Sequence, residues 1–269
     1  MIRFLTSLFF LTLLASSALG EPIALGDGES FKFRVGWGPI WGAGEIRVKA
    51  ERVETDGKET LHVVTTTSTR GVIRALYPFD AAAESVFDGK DGRMLEATAT
   101  STAGKKKTKA TAVFDYPASI VHYTDLLNAS RTTKIPLPEG NPVDLITSLI
   151  LTRKWTLKPG ERGPAVVMFD DEFYELSIIA QRYDRVHAPW GDTQALILEP
   201  KMEKNPKGMF KKGGEVRVWI SQDERRLPVK FEVAMKFGTG TAYLTEYHPP
   251  NNSNDSKTPP AAADANPRP

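Results

Sequence analysis

Apolar and polar residues alternate with a period of two along most of this chain, which restricts it to sheets that bury one face. Near the C-terminus, Val216, Val218 and Ile220 alternate with polar residues. Val229, Phe231, Val233, Met235 and Phe237 do the same a few residues later. Asp223, Glu224, Arg225 and Arg226 lie between the two runs, where a hairpin tip carries charge. Phe31, Phe33, Val35 and Trp37 mark an early strand, and Asp56-Gly57 is a pair that tolerates the positive φ of a hairpin turn. Further turns are expected around Gly104 and at Asp170-Asp171. One segment, GNPVDLITSLILTRKW, has helical spacing instead, with Leu145, Ile146, Leu149, Ile150 and Trp155 on one face. Asn141 stands as its expected N-cap and Pro142 as its first helical residue. The expected fold is mostly β: an antiparallel sandwich or barrel-like curved sheet with one central packed α-helix.

Three regions follow from composition. Residues 1–20 read as a secretory signal peptide, with Arg3, an apolar run from Leu8 to Leu14, and small residues at Ala18 and Gly20. Residues 21–248 form a single β-rich domain, long enough to bury a core although the chain has no cysteine. Residues 249–269, rich in Pro, Asn and Ala, carry no large apolar side chain and read as a disordered tail. The expected location is therefore the periplasm, or outside the cell, with no transmembrane span in the mature chain. A net charge of +2 gives no reason to expect nucleic acid as a partner.

Sequence motifs for chemistry are scarce. The four histidines, His62, His122, His187 and His248, are far apart, and none has a ligand nearby at metal spacing. No nucleophile elbow, metalloprotease helix or phosphate-cradling loop occurs, so no catalytic residue, metal or cofactor is assigned. Asp170, Asp171 and Glu172 read as a turn rather than a paired-carboxylate site. Two places could meet a ligand. Trp37 and Trp41 flank a glycine turn, and Met209 and Phe210 stand beside Lys211 and Lys212, a mixture suited to anionic headgroups. With Ile146 and Ile150 of the helix, these residues are the candidate binding set for a lipid, glycan or envelope protein.

FKFRVGWGPIWGAGEIRV, NPVDLITSLILTRKWTLKPGE and GEVRVWISQDERRLPVKFEV occur in this order, and the chain resembles the bacterial exported-protein family called domain of unknown function 3108 over about residues 28–247. The resemblance implies a β-rich envelope domain and supplies no catalytic residues. The functional expectation is a non-enzymatic binding or interaction module for an apolar or amphipathic ligand. The alternatives are an envelope hydrolase or lyase acting through clustered carboxylates, and a structural scaffold. If residues 1–20 are removed on export, N-terminal sequencing of the exported protein will begin at Glu21; a retained Met1 in a membrane fraction would refute cleavage.

Overall fold

The computed structural model describes residues 23–204, 206, 210, 214–235 and 238–251. Strands dominate. In chain order they are β1 (Ser30–Trp37), β2 (Ile40–Thr55), β3 (Lys58–Thr69), β4 (Phe79–Asp88), β5 (Met94–Ala103), β6 (Lys106–Asp115), β7 (Ile120–Asp125) and β8 (Thr133–Pro136), followed by β9 (Val143–Asp144), β10 (Arg162–Phe169), β11 (Glu172–Ala188), β12 (Gly191–Lys201), β13 (Glu215–Ser221), β14 (Pro228–Met235) and β15 (Gly238–His248). Helix α1 (Gly71–Leu76) joins β3 to β4, and α2 (Leu145–Leu151) follows β9.

All fifteen strands belong to one sheet, in the order β8-β7-β6-β5-β4-β3-β2-β1-β15-β14-β13-β12-β11-β10-β9. The first and last strands therefore meet in the middle of the sheet, where β1 pairs antiparallel with β15. The two edge strands, β8 and β9, are consecutive in sequence and joined only by residues 137–142. A flat sheet of fifteen strands would be roughly 65 Å wide at ~4.8 Å per strand. Seven residue steps reach at most about 25 Å. The sheet must curl until its edges approach each other, and side chains span the gap. Phe114 of β6 meets Phe173 of β11 edge-on, with ring centroids 6.5 Å apart, and Ser85 Oγ of β4 donates to Asp144 Oδ2 of β9 at 2.8 Å.

Local chemistry sets the turns. Asp56 and Gly57 both take positive φ, 52° and 74°, as a two-residue hairpin with right-twisted strands requires. The tip between β13 and β14 is more than a solvated turn. Asp223 accepts from Ser221 Oγ at 2.7 Å and pairs with Arg225, whose guanidinium lies 3.7 Å from the centroid of the Trp190 ring. Arg226 reaches away from the tip and donates to the carbonyls of Arg153 and Trp155, at 2.8 and 2.5 Å.

The central helix starts later than its sequence suggests. Val143 and Asp144 pair in parallel with Val167 and Met168 of β10, which holds the backbone extended past Asn141 and Pro142. Asp144, not Asn141, is the N-cap, and its side chain accepts from the Thr147 N–H at 2.9 Å. Leu149 and Ile150 are buried against the sheet, and a 3-10 turn (Thr152–Lys154) extends the element. Helix α1 was not expected from the sequence and buries none of its residues. Pro250 and Asn251, assigned to the tail by composition, lie against Gly26 and Gly28, and the Asn251 N–H donates to the Asp27 carbonyl at 2.8 Å. The remainder of the tail, 252–269, and the signal segment lie outside the described residues.

The interior is anchored by a buried carboxylate. Glu29, just before β1, is 1 % exposed and accepts from Arg153 Nη1 at 2.6 Å, from the Tyr247 hydroxyl at 2.9 Å and from the Gly26 N–H at 3.0 Å. Burial, then the neighbouring Glu29 charge, raises the Tyr247 pKa and keeps the hydroxyl a donor. Arg153→Met would leave Glu29 buried and unpaired, and breaking such a pair costs about 3–5 kcal/mol. Urea unfolding should register that loss. Adding Glu29→Gln to the same variant should recover part of it, because the uncompensated charge is gone.

Candidate functional site

The strands end at two rims, and the Glu29–Arg153 contact holds the C-terminal end of the helical element near one of them. Helix α2 therefore fills only the half of the curved sheet nearest that rim. The other half contains a cavity of about 520 Å³, opening toward the rim that carries the β3–β4, β5–β6, β7–β8 and β10–β11 connections.

Ladder register explains the space. One inward row runs Ser85, Ala97, Ala112 across β4, β5 and β6. The next runs Thr65, Ala83, Ala99, Ala110 across β3 to β6, and a third runs Thr67, Ala81, Ser101, Thr108. Toward the opposite rim the same strands carry Leu61, Phe87, Met94 and Phe114, all buried. Large side chains fill one half of the interior, and methyl- and hydroxyl-sized ones leave the other half empty. A sealed void of this volume would cost on the order of 12 kcal/mol at ~24 cal/mol per Å³, comparable with the whole stability of a domain. The space is instead open, with Ala99 exposed on its wall.

Leu145 and Ile146 of the helix close the inner end, and Phe79, Met168 and Phe169 add apolar surface near the mouth. Polar groups collect on one side of that mouth. The Tyr123 hydroxyl donates to Asp170 Oδ1, and Arg131 Nη2 donates to Asp170 Oδ2 at 2.6 Å and to Asp171 Oδ1 at 3.2 Å. Burial works to raise the Asp170 pKa, but hydrogen bonds from Tyr123 and Arg131 outweigh it and hold the carboxyl below its ordinary value. Tyr123 is pushed up, by burial first and then by its bond to Asp170. These groups bridge the β7–β8 connection to the β10–β11 turn, so Asp170-Asp171 is both a turn and a clasp across the sheet edges.

The residues read from sequence are dispersed. Ile146 reaches the cavity, whereas Ile150 is fully buried in the core. Trp37 lies against Gly238 and Gly240 of β15. Trp41 is 70 % exposed beside Tyr243, with ring centroids 5.5 Å apart, and does not line the cavity. Phe210 packs on Tyr174 at a ring-centroid distance of 6.2 Å, within a satellite apolar cluster that includes Val167 and Leu176. Met209, Lys211 and Lys212 lie outside the described residues. Sequence reasoning missed the alanine wall, whose signal is in plain view: AAAES, EATATSTAG and TKATAV each place alanine at alternate positions with no large inward residue. Among the described residues no group of three or more His, Asp or Glu could hold a metal ion, and no helix is long and apolar enough to cross a membrane.

The fold and cavity define a barrel-like β protein whose curved sheet encloses one short helix and an open apolar space. The chain belongs to the family described as protein of unknown function (DUF3108), whose profile matches residues 30–245. The crystal structure of a beta-barrel-like protein of domain of unknown function DUF1849 from Brucella abortus shares its fold with a TM-score of 0.52, at 7% sequence identity, covering 84% of this chain and 99% of that one. A protein with a YmcC-like fold from Bacteroides fragilis aligns over 85% of this chain and 99% of its own, at 9% identity and a TM-score of 0.31. No curated protein matches the sequence significantly.

Asp170→Asn tests the clasp. A depressed folded pKa contributes stability that is present above the ordinary carboxyl value near 4 and is lost as the pH falls through the folded value. The variant should be less stable than the parent at pH 7, by up to about 1 kcal/mol given the exposure of the pair, and the gap should close in acid. Thermal unfolding at pH 7 and pH 3 checks both points.

Proposed function

We propose that this protein is an exported binding protein that holds one apolar or amphipathic ligand in the cavity between β3–β6 and helix α2. The carrying observation is the alanine wall: three ladder rows of small side chains leave about 520 Å³ open, within the range of small-molecule sites. Native interiors are ordinarily packed to near crystal density, and elsewhere in this core large side chains such as Phe31, Phe33, Phe87 and Met94 are fully buried. A chain of about ten methylenes would gain roughly 8 kcal/mol on entering, at ~0.8 kcal/mol each, against an association cost of roughly 4–15 kcal/mol. Affinity therefore depends on a polar head as well, and the Ser and Thr hydroxyls on the wall, such as Thr65, Thr67 and Ser101, can hydrogen-bond one.

The carboxylates around the cavity support binding over catalysis. Asp144 caps the helix and accepts from Ser85, Asp170 is engaged by Tyr123 and Arg131, and Asp125 accepts the N–H groups of Leu127 and Asn128. Each has a structural task in the fold. Export rests on the signal-like segment at residues 1–20, and the periplasm is the compartment we assign.

Ala83 and Ala99 face each other across β4 and β5, so Ala83→Leu with Ala99→Leu would fill the cavity without touching the core. The parent should take up a fluorescent fatty acid, and the double variant should lose at least tenfold in affinity while melting at or above the parent temperature. Native mass spectrometry of protein purified from its own envelope should show a bound small molecule. A clean apo mass together with no uptake by the parent would end this reading.

A further inference from the structure

The two rims of the sheet are decorated unequally. Among the described residues, six large apolar side chains are more than half exposed: Trp41, Val72, Leu76, Tyr77, Leu127 and Phe169. All six stand at one rim. Trp41 follows the β1–β2 turn, Val72, Leu76 and Tyr77 lie in the β3–β4 connection, Leu127 in β7–β8, and Phe169 ends β10. Strand polarity puts these connections at the same end of the antiparallel sheet, and this is the end onto which the cavity opens. At the opposite rim the connections around Asp56, Lys90, Asp91, Asp223 and Glu224 are polar, and none carries such a side chain.

Helix α1 makes the asymmetry sharper. It has six residues, three of them Val72, Ile73 and Leu76, yet it buries none of them. So short a helix gains little from its own hydrogen bonds. It is held instead by its ends: the Arg70 N–H donates to the Ala43 carbonyl at 2.8 Å, and Arg74 pairs with Asp80 at 2.8 Å. The fold thus fixes an apolar turn of helix in water beside Trp41, while the ring of Tyr77 stacks on Phe79 of the cavity wall at 6.4 Å. Exposed apolar surface concentrated in this way marks a contact surface.

Charge selects the partner. The β5–β6 tip on this rim carries Lys105, Lys106 and Lys107, all exposed; Lys106 acts electrostatically on Asp170, and Lys105 and Lys107 face water. We propose that this rim docks on an anionic lipid bilayer, with the apolar side chains at the boundary between headgroups and acyl chains and the three lysines at the level of the phosphates. The apolar residues come from four separate connections around a mouth and form no groove, so they suit a planar, fluid surface better than a shaped protein partner. Docking would set the cavity mouth against the membrane. It is separable from ligand uptake, because none of the docking side chains except Phe169 lines the cavity.

The test is flotation of the mature chain with vesicles of phosphatidylethanolamine and phosphatidylglycerol, 3:1, and with vesicles of phosphatidylcholine alone. The parent should float with the anionic vesicles and not with the neutral ones. Raising the salt to 1 M, where the Debye length falls to about 3 Å, should weaken binding severalfold. Trp41→Ser with Val72→Ser and Leu76→Ser, and separately Lys105→Glu with Lys107→Glu, should each cut the bound fraction at least tenfold. Both should leave the melting temperature and uptake of a fluorescent fatty acid from solution unchanged. The Ala83→Leu, Ala99→Leu variant should bind vesicles like the parent, so failure of the ligand reading and failure of docking are told apart. Parent protein that stays with the soluble fraction, or a lysine-reversed variant that floats as well as the parent, would overturn the proposal. So would a parent dimer in sedimentation equilibrium that the serine variant abolishes, which would assign the rim to a second copy of the chain.

Discussion

The contact on which the remainder of this architecture depends is the buried ion pair between Glu29 and Arg153. Glu29 precedes the first strand, Tyr247 sits near the end of the last, and Arg153 closes the interior helix, so one carboxylate gathers the first strand, the last strand and the central element. Burying a carboxylate is costly unless its lone pairs are used, and here a guanidinium, a phenol and a backbone N–H use them. Arg226 secures the same corner by binding the carbonyls that the end of the helical element leaves open. The pair fixes where the helix ends, and so which half of the interior it fills.

Everything at the other half follows from what the helix does not reach. Its seven residues and the 3-10 turn after it occupy the Glu29 side, while Asp144 and its bond to Ser85 hold its start midway along β4. Beyond that point the facing rows of β4–β6 carry alanine, serine and threonine, whose side chains are too short to meet across the space. The Tyr123–Asp170–Arg131 clasp keeps the two sheet edges together where no ladder of backbone hydrogen bonds does. An open mouth, an apolar interior and an apolar rim thus occupy one end of the molecule, and polar, well-anchored turns occupy the other. This polarity is the physical basis for assigning ligand and membrane to the same end.

Alternation of apolar residues, the Asp56-Gly57 pair and the apolar run from Leu145 to Ile150 act through local geometry, and each was legible in the sequence as strand, turn and helix. The family motifs were legible too, for the three segments quoted above hold Arg153, Arg226 and the strands they join. Long-range pairing decided the remainder. Asn141 had the right chemistry for a cap, but β10 draws Val143 and Asp144 into a ladder, and a residue cannot be extended and helical at once. Nothing local to Glu29 announces a partner 124 positions away. Ala83, Ala99 and Ala110 look like ordinary strand residues until the register sets them side by side, because a cavity belongs to the arrangement of several strands and to no one of them. The sequence by itself determined that this chain is mostly antiparallel β with one packed helix, and left a sandwich and a single curled sheet both open. Only the tertiary structure decided where that helix stops and which space stays open, since both depend on contacts between residues far apart in the chain.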